Sequence, residues 1–255
     1  MTLIFFNRLV LSAMAGITNA EFCIKHPVGL AVMGGFNADK VSMDAARKAI
    51  RRGRKEFIFD DLIEGIEEEV KKLVNSDFEG VFAINVRSST LDGYVQAAEI
   101  ARKYGGILEI NAHCRQPEFT EIKCGQWLIH HPDHLASIIR EVKKLDVIIS
   151  VKIRGNVEGV DYSQLVRTIR QAGCHIIHVD AMILGGGCDL KLISEISKSG
   201  FTIGNNSVVD VESAEKVISA GASMVSAARA VLRDSSFFNR LLTSDVLRKN
   251  VVLEF

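Results

Sequence analysis

The sequence has only three prolines, few aromatic residues, no excess charge of either sign and no long uninterrupted apolar run. This composition excludes collagen-like, proline-rich and disordered chains. Lysine plus arginine equal aspartate plus glutamate at 31 each. Any contact with nucleic acid must therefore come from a local patch, because no overall field attracts polyanions. The longest apolar stretch, residues 3–15, is broken by Asn7 and Arg8. We therefore expect a cytoplasmic protein without a membrane span or signal peptide.

Cysteine is also sparse, with five residues at scattered positions and no CxxC pair. An odd number at such spacing excludes a disulfide-stapled scaffold and a zinc finger, and it suits reduced thiols. At most one or two of these cysteines should matter chemically.

Short apolar runs alternate with amphipathic segments along the whole chain. Buried parallel strands appear as nearly continuous apolar runs because helices cover both faces of the sheet. The eight runs span residues 9–13, 29–33, 81–86, 107–111, 147–153, 176–181, 201–205 and 224–228. Eight strands in about 250 residues predict one domain over residues 1–255, an α/β fold of the (β/α)8 TIM barrel type. Residues 235–255 supply its last helix and a short C-terminal extension.

An open, doubly wound sheet is the alternative architecture. It is disfavoured because no glycine-rich phosphate fingerprint follows the first strand. The amphipathic segments between the strands predict helices over residues 39–52, 91–104, 133–145, 162–172, 190–199 and 211–220. The long segment 54–76, with charges from Glu67 to Lys72, is interpreted as a solvated helix face.

Polar residues stand at the ends of otherwise apolar strands, where barrel enzymes build their sites. Their convergence predicts a polar ligand, since burying such groups without partners is costly. The last two strand ends, which include Gly204, Asn205, Asn206, Ala228 and Arg229, match the usual phosphate position of this fold. An ordinary turn with a solvated or acid-paired arginine is the alternative.

Lys152 and Cys114 are the candidates for chemistry. Lys152 lies within an apolar strand, which favours contact with an electron-rich cofactor, a Schiff-base nucleophile, or pairing with a carboxylate such as Glu109. Cys114 follows a strand between His113 and Arg115, whose positive charge would favour a reactive thiol over a buried apolar one. The histidines His130, His131 and His134 have metal-ligand spacing, but Pro132 makes a helix start the favoured interpretation, and no metal is expected.

Several segments, taken in order, resemble motifs of the tRNA-dihydrouridine synthase family, which are flavin-dependent barrels. The stretch from Ser12 to Asn19, with Ala13 and Met14, resembles the A-P-M-A-G-V-T-D loop that lies against the flavin ring. The stretch from Glu109 to Arg115 resembles D-L-N-x-G-C-P. In that motif the cysteine, here Cys114, protonates the uracil ring during its reduction.

Two further matches concern the flavin ring and its phosphate. The stretch from Ser150 to Arg154 resembles V-S-V-K-x-R, which implies that Lys152 contacts the ring and stabilises its reduced anionic form. The stretches from Gly204 to Val208 and from Ser226 to Ala230 resemble the two halves of the phosphate cradle. The resemblance also implies that Asn85 contacts the ring and that Asn111, His113 and Arg154 face flavin or substrate.

Some residues depart from the family pattern. Asp180 replaces a flavin-contacting histidine, while Asn206 and Ala228 replace glycines of the cradle. We expect no counterpart after Arg229 of the family's C-terminal helical domain, which grips tRNA.

The resemblance implies FMN as cofactor and NADPH or NADH as reductant. The substrate would be a uridine in tRNA or a free pyrimidine-like ring, so the partners are a nucleotide or other small molecule and, less favoured, tRNA. A Schiff-base aldolase using Lys152, acting on a phosphorylated substrate, and a non-catalytic descendant of the flavin barrels remain as alternatives.

Overall fold

Eight parallel strands close into a barrel in the computed structural model, which describes residues 2–255. The strands are β1 Thr2–Phe5, β2 Leu9–Leu11, β3 Leu30–Asn37, β4 Val81–Arg87, β5 Ile107–Ala112, β6 Ile148–Arg154, β7 Ile176–Asp180, β8 Met182–Ile183, β9 Gly187–Cys188, β10 Thr202–Asn205, β11 Met224–Ala227 and β12 Val251–Glu254. The barrel order is β10, β11, β2, β3, β4, β5, β6, β7. The (β/α)8 fold is therefore confirmed, and each predicted apolar run overlaps one barrel strand.

Helices follow the barrel strands, and most of the longer ones begin at a side-chain cap. Asp39 caps α2 by accepting a hydrogen bond from the backbone N–H of Ser42 at 2.7 Å. No helix formed by residues 2–255 has the length and apolar character needed to cross a membrane. The helices are α1 Ala20–Ile24, α2 Lys40–Arg51, α3 Leu62–Val74, α4 Leu91–Lys103, α5 Pro117–Thr120, α6 Pro132–Lys143, α7 Tyr162–Ala172, α8 Leu190–Ser197, α9 Val211–Ser219 and α10 Phe237–Leu241, with 3₁₀ helices at Gly125–His130 and Arg229–Leu232.

The amino-terminal end of the barrel is apolar and is closed by a small second sheet. Strands β1 and β12 pair antiparallel, with Leu3 opposite Leu253. Phe5 and Leu253 pack on an apolar cluster contributed by the barrel strands. The C-terminal extension is thus more than a trailing segment, because it supplies the strand that holds β1 over this end of the barrel.

The connection from β3 to β4 contains two helices, α2 and α3, rather than one. Between them the chain returns to the carboxyl ends of the strands, where it packs closely on Gly16. A Cβ atom at Gly16 would lie 2.7 Å from the backbone nitrogen of Glu56. The interpretation of the run from Glu67 to Lys72, within segment 54–76, as a solvated helix face is wrong for Glu69. Glu69 is 7% exposed and accepts the backbone N–H of Ala20 at 2.8 Å.

Candidate active site

The half of the barrel interior that lies toward the carboxyl ends of the strands contains a network of buried polar side chains. Strand register places Asn85 beside Glu109, and Asn205 beside Ser226. The Nδ1 atom of His178 lies 2.8 Å from Glu109 Oε2, and its Nε2 atom lies 2.7 Å from Ser226 Oγ. Asn205 donates to Ser226 at 2.5 Å. The hydrogen bonds therefore connect opposite sides of the barrel.

The protonation of this network follows from burial and its neighbours. Burial and the nearby Lys152 lower the pKa of His178, so the imidazole is neutral. Its Nδ1–H then donates to Glu109, and its Nε2 accepts from Ser226. Although burial opposes ionisation, His178, Lys152 and the amide of Asn85 hold the pKa of Glu109 at about 2. A buried carboxylate thus lies beneath the lysine.

Lys152 lies on the neighbouring strand β6, closer than Glu109 to the carboxyl ends of the strands, and it is 4% exposed. Its Nζ donates to Ser12 Oγ, which also accepts from Asn205 Nδ2 at 3.3 Å. Burial lowers the pKa of Lys152, while Glu109 and Asp180 oppose this shift. Glu109 pairs with His178, so the predicted alternative of a direct Lys152–Glu109 ion pair is wrong. Among residues 2–255, Ser12 is the one hydrogen-bond partner of this ammonium, which leaves donors for a ligand.

Asn85 and Asn111 fix the loop that carries Cys114. Asn85 donates to Glu109 at 2.7 Å and accepts from Asn111 at 2.8 Å. The Oδ1 atom of Asn111 accepts the backbone N–H of Cys114 at 2.9 Å and that of His113 at 3.2 Å. Cys114 is half-buried and free, and it packs against a small apolar cluster.

Asp180 joins three of the predicted site residues. Its Oδ2 atom lies 3.3 Å from Arg154 Nη2 and 3.2 Å from His113 Nδ1, although the latter contact lacks hydrogen-bond alignment. Its Oδ1 atom accepts from Asn206 at 2.7 Å. Burial, Lys152 and Arg154 hold the pKa of His113 well below its ordinary value, so its ring is neutral. The carboxylate of Asp180 therefore holds the side chains of Arg154 and Asn206 in place.

A buried ion pair between Arg87 and Glu56 lies beside Cys114, and the sequence did not predict it. Arg87 contacts Glu56 through both terminal nitrogens, and it donates to the carbonyl of Gly35 at 2.8 Å. Its guanidinium lies over the ring of Phe119, 3.8 Å from the ring centroid. Burial opposes its charge, yet Glu56 and Cys114 raise the pKa of Arg87 above its ordinary value. The signal for Arg87 was its position two residues after Asn85, on the same strand face.

The region predicted to bind a phosphate combines two left-handed residues with an uncapped 3₁₀ helix. Asn206 and Ser207 have φ values of +110° and +55°, and the 3₁₀ helix that begins at Arg229 has no side-chain cap. Left-handed backbone and free helix amides are common components of anion sites. Ala228, at the other predicted glycine position, has φ −133° and ψ −82°. Arg229 is exposed and, among residues 2–255, makes no ion pair with an acid.

Gly204 lies against the outer helix α9, whereas the loop after β2 lies beyond the end of its strand. A Cβ atom at Gly204 would lie 2.4 Å from the side chain of Val217 in α9. A side chain at this position would therefore collide with α9, so helix packing requires the glycine. Ala13 and Met14 are half-buried beyond the end of β2. Thr18 holds this loop by donating to the carbonyl of Gly34 at 2.7 Å.

The histidine motif begins helix α6, as predicted. Pro132 occupies the first helical position, and the ring of His131 stacks on Trp127 with centroids 3.5 Å apart. Throughout residues 2–255, no three histidine, cysteine, aspartate or glutamate side chains are grouped to hold a metal ion.

Together these features define a barrel enzyme whose carboxyl-terminal strand ends suit an anionic, electron-rich cofactor beside a fixed thiol. The comparisons with known proteins agree. The sequence profile of the dihydrouridine synthase family matches residues 61–254. An uncharacterized protein of Methanocaldococcus jannaschii is 31% identical over 237 residues, which cover 89% of this chain and 90% of that protein. The chain therefore belongs to the dihydrouridine synthase family, and it is a flavin-dependent oxidoreductase.

Solved structures show the same fold at low sequence identity. Dihydroorotate dehydrogenase (DHODH) of Eimeria tenella, in complex with ferulenol, has a TM-score of 0.66 and 16% identity, with 92% of this chain and 79% of that chain covered. A FabK mutant from Thermotoga maritima has a TM-score of 0.57 and 12% identity, with 89% of this chain covered. The present chain spans 62% of the FabK chain.

The residues at the strand ends fit a flavin. Lys152 offers unused donors, and the left-handed Asn206 occupies the place of a family glycine while its amide is held by Asp180. The family assignment therefore favours contact with a cofactor over the Schiff-base role of Lys152, and it excludes a non-catalytic descendant.

Proposed function

We propose that this protein is an FMN-dependent reductase of the C=C bond in a uracil-like ring. When bound, reduced FMN supplies the hydride, and NADPH or NADH restores the reduced flavin. The substrate is a uridine in tRNA or a small pyrimidine-like molecule. The grouping of Lys152, the Cys114 loop and the left-handed turn at Asn206 at one end of the barrel is the observation that carries this proposal.

Lys152 would hold the negative charge of the reduced cofactor. Its ammonium has Ser12 as partner and lies above the ionised Glu109, which opposes its deprotonation. The left-handed turn at Asn206 and the helix start at Arg229 would hold the FMN phosphate. Asn85 would face the ring with the amide N–H that it does not use on Glu109.

Cys114 would donate the proton that completes the reduction. Asn111 fixes its backbone, so the thiol keeps one position relative to the strand ends. The proton leaves Sγ for one carbon of the double bond as the neighbouring carbon receives the hydride. His113 and Arg154 would orient the carbonyl groups of the ring, the former as a neutral imidazole fixed beside Asp180.

Replacement of the thiol tests this assignment. We expect Cys114→Ala to bind FMN as the wild type does and to lose turnover by about 10²-fold or more, because general acid catalysis contributes that much. Cys188→Ala is the matched control, since Cys188 is also half-buried and free. Flavin absorbance and single-turnover oxidation of the reduced enzyme give the two readouts. Unchanged turnover in Cys114→Ala would remove the acid role.

The substrate class is tested by oxidising the reduced enzyme with different acceptors. Unmodified tRNA transcript, uridine and uracil are compared under anaerobic conditions. Rapid oxidation by tRNA alone identifies a nucleic-acid substrate, and rapid oxidation by the small rings identifies a small-molecule enzyme. Oxidation by none of them contradicts the uracil-ring proposal while leaving the flavin assignment intact.

A further inference from the structure

The Arg87–Glu56 pair lies against Cys114, and neither residue belongs to the motifs through which the chain resembles its family. The side chains of Arg87 and Glu56 are only 2% and 1% exposed. They come from different parts of the chain, because Arg87 ends β4 and Glu56 lies in the connection between α2 and α3. A buried ion pair is not a strong source of stability, since desolvation offsets most of the attraction. Its position beside the thiol suggests another use.

The contact geometry leaves the thiol proton free. The Nη1 atom of Arg87 lies 3.8 Å from Cys114 Sγ and donates to the sulfur. This contact uses a sulfur lone pair and not the S–H proton. The thiol can therefore direct its proton to another acceptor while it stays fixed by Arg87. Asn111 and Gln126 hold the Cys114 backbone at 2.9 and 2.7 Å, so the sulfur has little freedom to leave the guanidinium.

The two charged groups of the ion pair beside the sulfur act on it in opposite directions. Arg87 favours the thiolate, as cations beside cysteine do, and Glu56 opposes this effect across the same guanidinium. The other polar groups facing the loop are His113, Arg115, Arg154 and the thiol of Cys124. His113 is neutral, and Asp180 partly compensates Arg154. Burial and the charge of Asp39 raise the pKa of Cys124, so that thiol is neutral as well.

We propose that Arg87 and Glu56 set the proton affinity of Cys114: Glu56 keeps the resting thiol protonated, and Arg87 receives the charge of the thiolate once its proton has left. The inference rests on the proposed function. In the step itself, the proton would pass from Sγ to one carbon of the double bond, and the neighbouring carbon would receive the hydride that bound reduced flavin supplies, so that the C=C bond is reduced at the expense of the flavin. The S–H electron pair remains on sulfur, which regains a proton from water.

The first test removes the carboxylate charge without changing the shape of the pair. Glu56→Gln should move the pH midpoint of Cys114 alkylation by iodoacetamide to lower pH by about one unit, because Arg87 is then uncompensated. The alkylated Cys114 peptide is quantified by mass spectrometry, so the other four cysteines do not interfere. The midpoint is measured rather than a single rate, because a more acidic thiol is also a weaker nucleophile.

A second variant guards against simple structural damage. Glu56→Gln combined with Arg87→Met removes both charges and leaves neither buried alone. Its alkylation midpoint should lie above that of Glu56→Gln, and a nonspecific disturbance gives no such reversal. Glu69→Gln, which removes another buried carboxylate, should leave the Cys114 midpoint unchanged. An unshifted or raised midpoint in Glu56→Gln overturns the proposal.

The same variants separate this inference from the proposed function. In Glu56→Gln, the pH midpoint above which turnover falls should be lower than in the wild type. The decrease should equal that of the alkylation midpoint. If alkylation shifts but Cys114→Ala retains turnover, the acid role of Cys114 in the proposed function fails and the charge pair stands. If Cys114→Ala is inactive but alkylation does not shift, the function stands and the charge pair fails.

Discussion

Lys152 is the residue whose surroundings say most about the cofactor. Its ammonium is buried at a cost, with Ser12 as its partner and Glu109 as the carboxylate beneath it. We expect Lys152→Met to bind flavin with a midpoint potential lower by about 30 mV or more, which is ~1.4 kcal/mol for two electrons. The physical reason is that the anionic reduced flavin loses its cation. Potentiometric titration measures the change, with exposed Lys123→Met as control. An unchanged potential in Lys152→Met would contradict the role.

Single residues of the site differed in how well the sequence could predict them. Lys152 and Cys114 interrupt or follow apolar strands, and such positions stand out in a barrel. Glu109 and His178 lie two residues before Asn111 and Asp180, so strand alternation placed them on the same interior face. Glu56 had no such signal. It lies 31 residues from Arg87 in a loop, and only the folded path of the α2–α3 connection brings the two together.

At the scale of elements, the β1–β12 sheet is one feature that the sequence did not predict. Its two strands have four residues each and come from opposite ends of the chain. Segments this short give little periodicity, and no local turn connects them. The eight barrel strands were predictable because each is an almost fully buried apolar run followed by polar residues, whereas β1 and β12 are partly exposed. The pairing of chain ends depends on the closed barrel, which only the complete fold provides.

This small sheet should contribute measurably to stability through its inner face. We expect Leu253→Ala to lower the free energy of unfolding by about 2–4 kcal/mol, because its fully packed side chain leaves a cavity against Phe5. Val252→Ala on the outer face, where the side chain is 47% exposed, should cost less than about 1 kcal/mol. Urea denaturation compares the two variants. Equal costs would show that β12 does not seal the barrel.

At the scale of the whole molecule, buried neutral histidines make stability depend on pH. Burial lowers the pKa of His178 and His113, and the same cause acts on His26, His134 and His175. Below their ordinary value of 6.5, the unfolded chain therefore binds more protons than the folded one. The stabilisation is fully present above pH 6.5 and is lost as the pH falls toward the lower folded values.

We therefore expect the free energy of unfolding to decrease by at least ~1 kcal/mol between pH 7.5 and about 5.5. The carboxylates do not produce this slope. The pKa of Glu109 is about 2 in the fold, and its contribution is lost only below its ordinary value of 4.5. Urea titrations across this range measure the slope, and His178→Gln should flatten it whatever its effect on absolute stability. A free energy that stays constant or rises on acidification would mean that the interior histidines are charged, and the direction of the His178–Ser226 hydrogen bond would have to be reassigned.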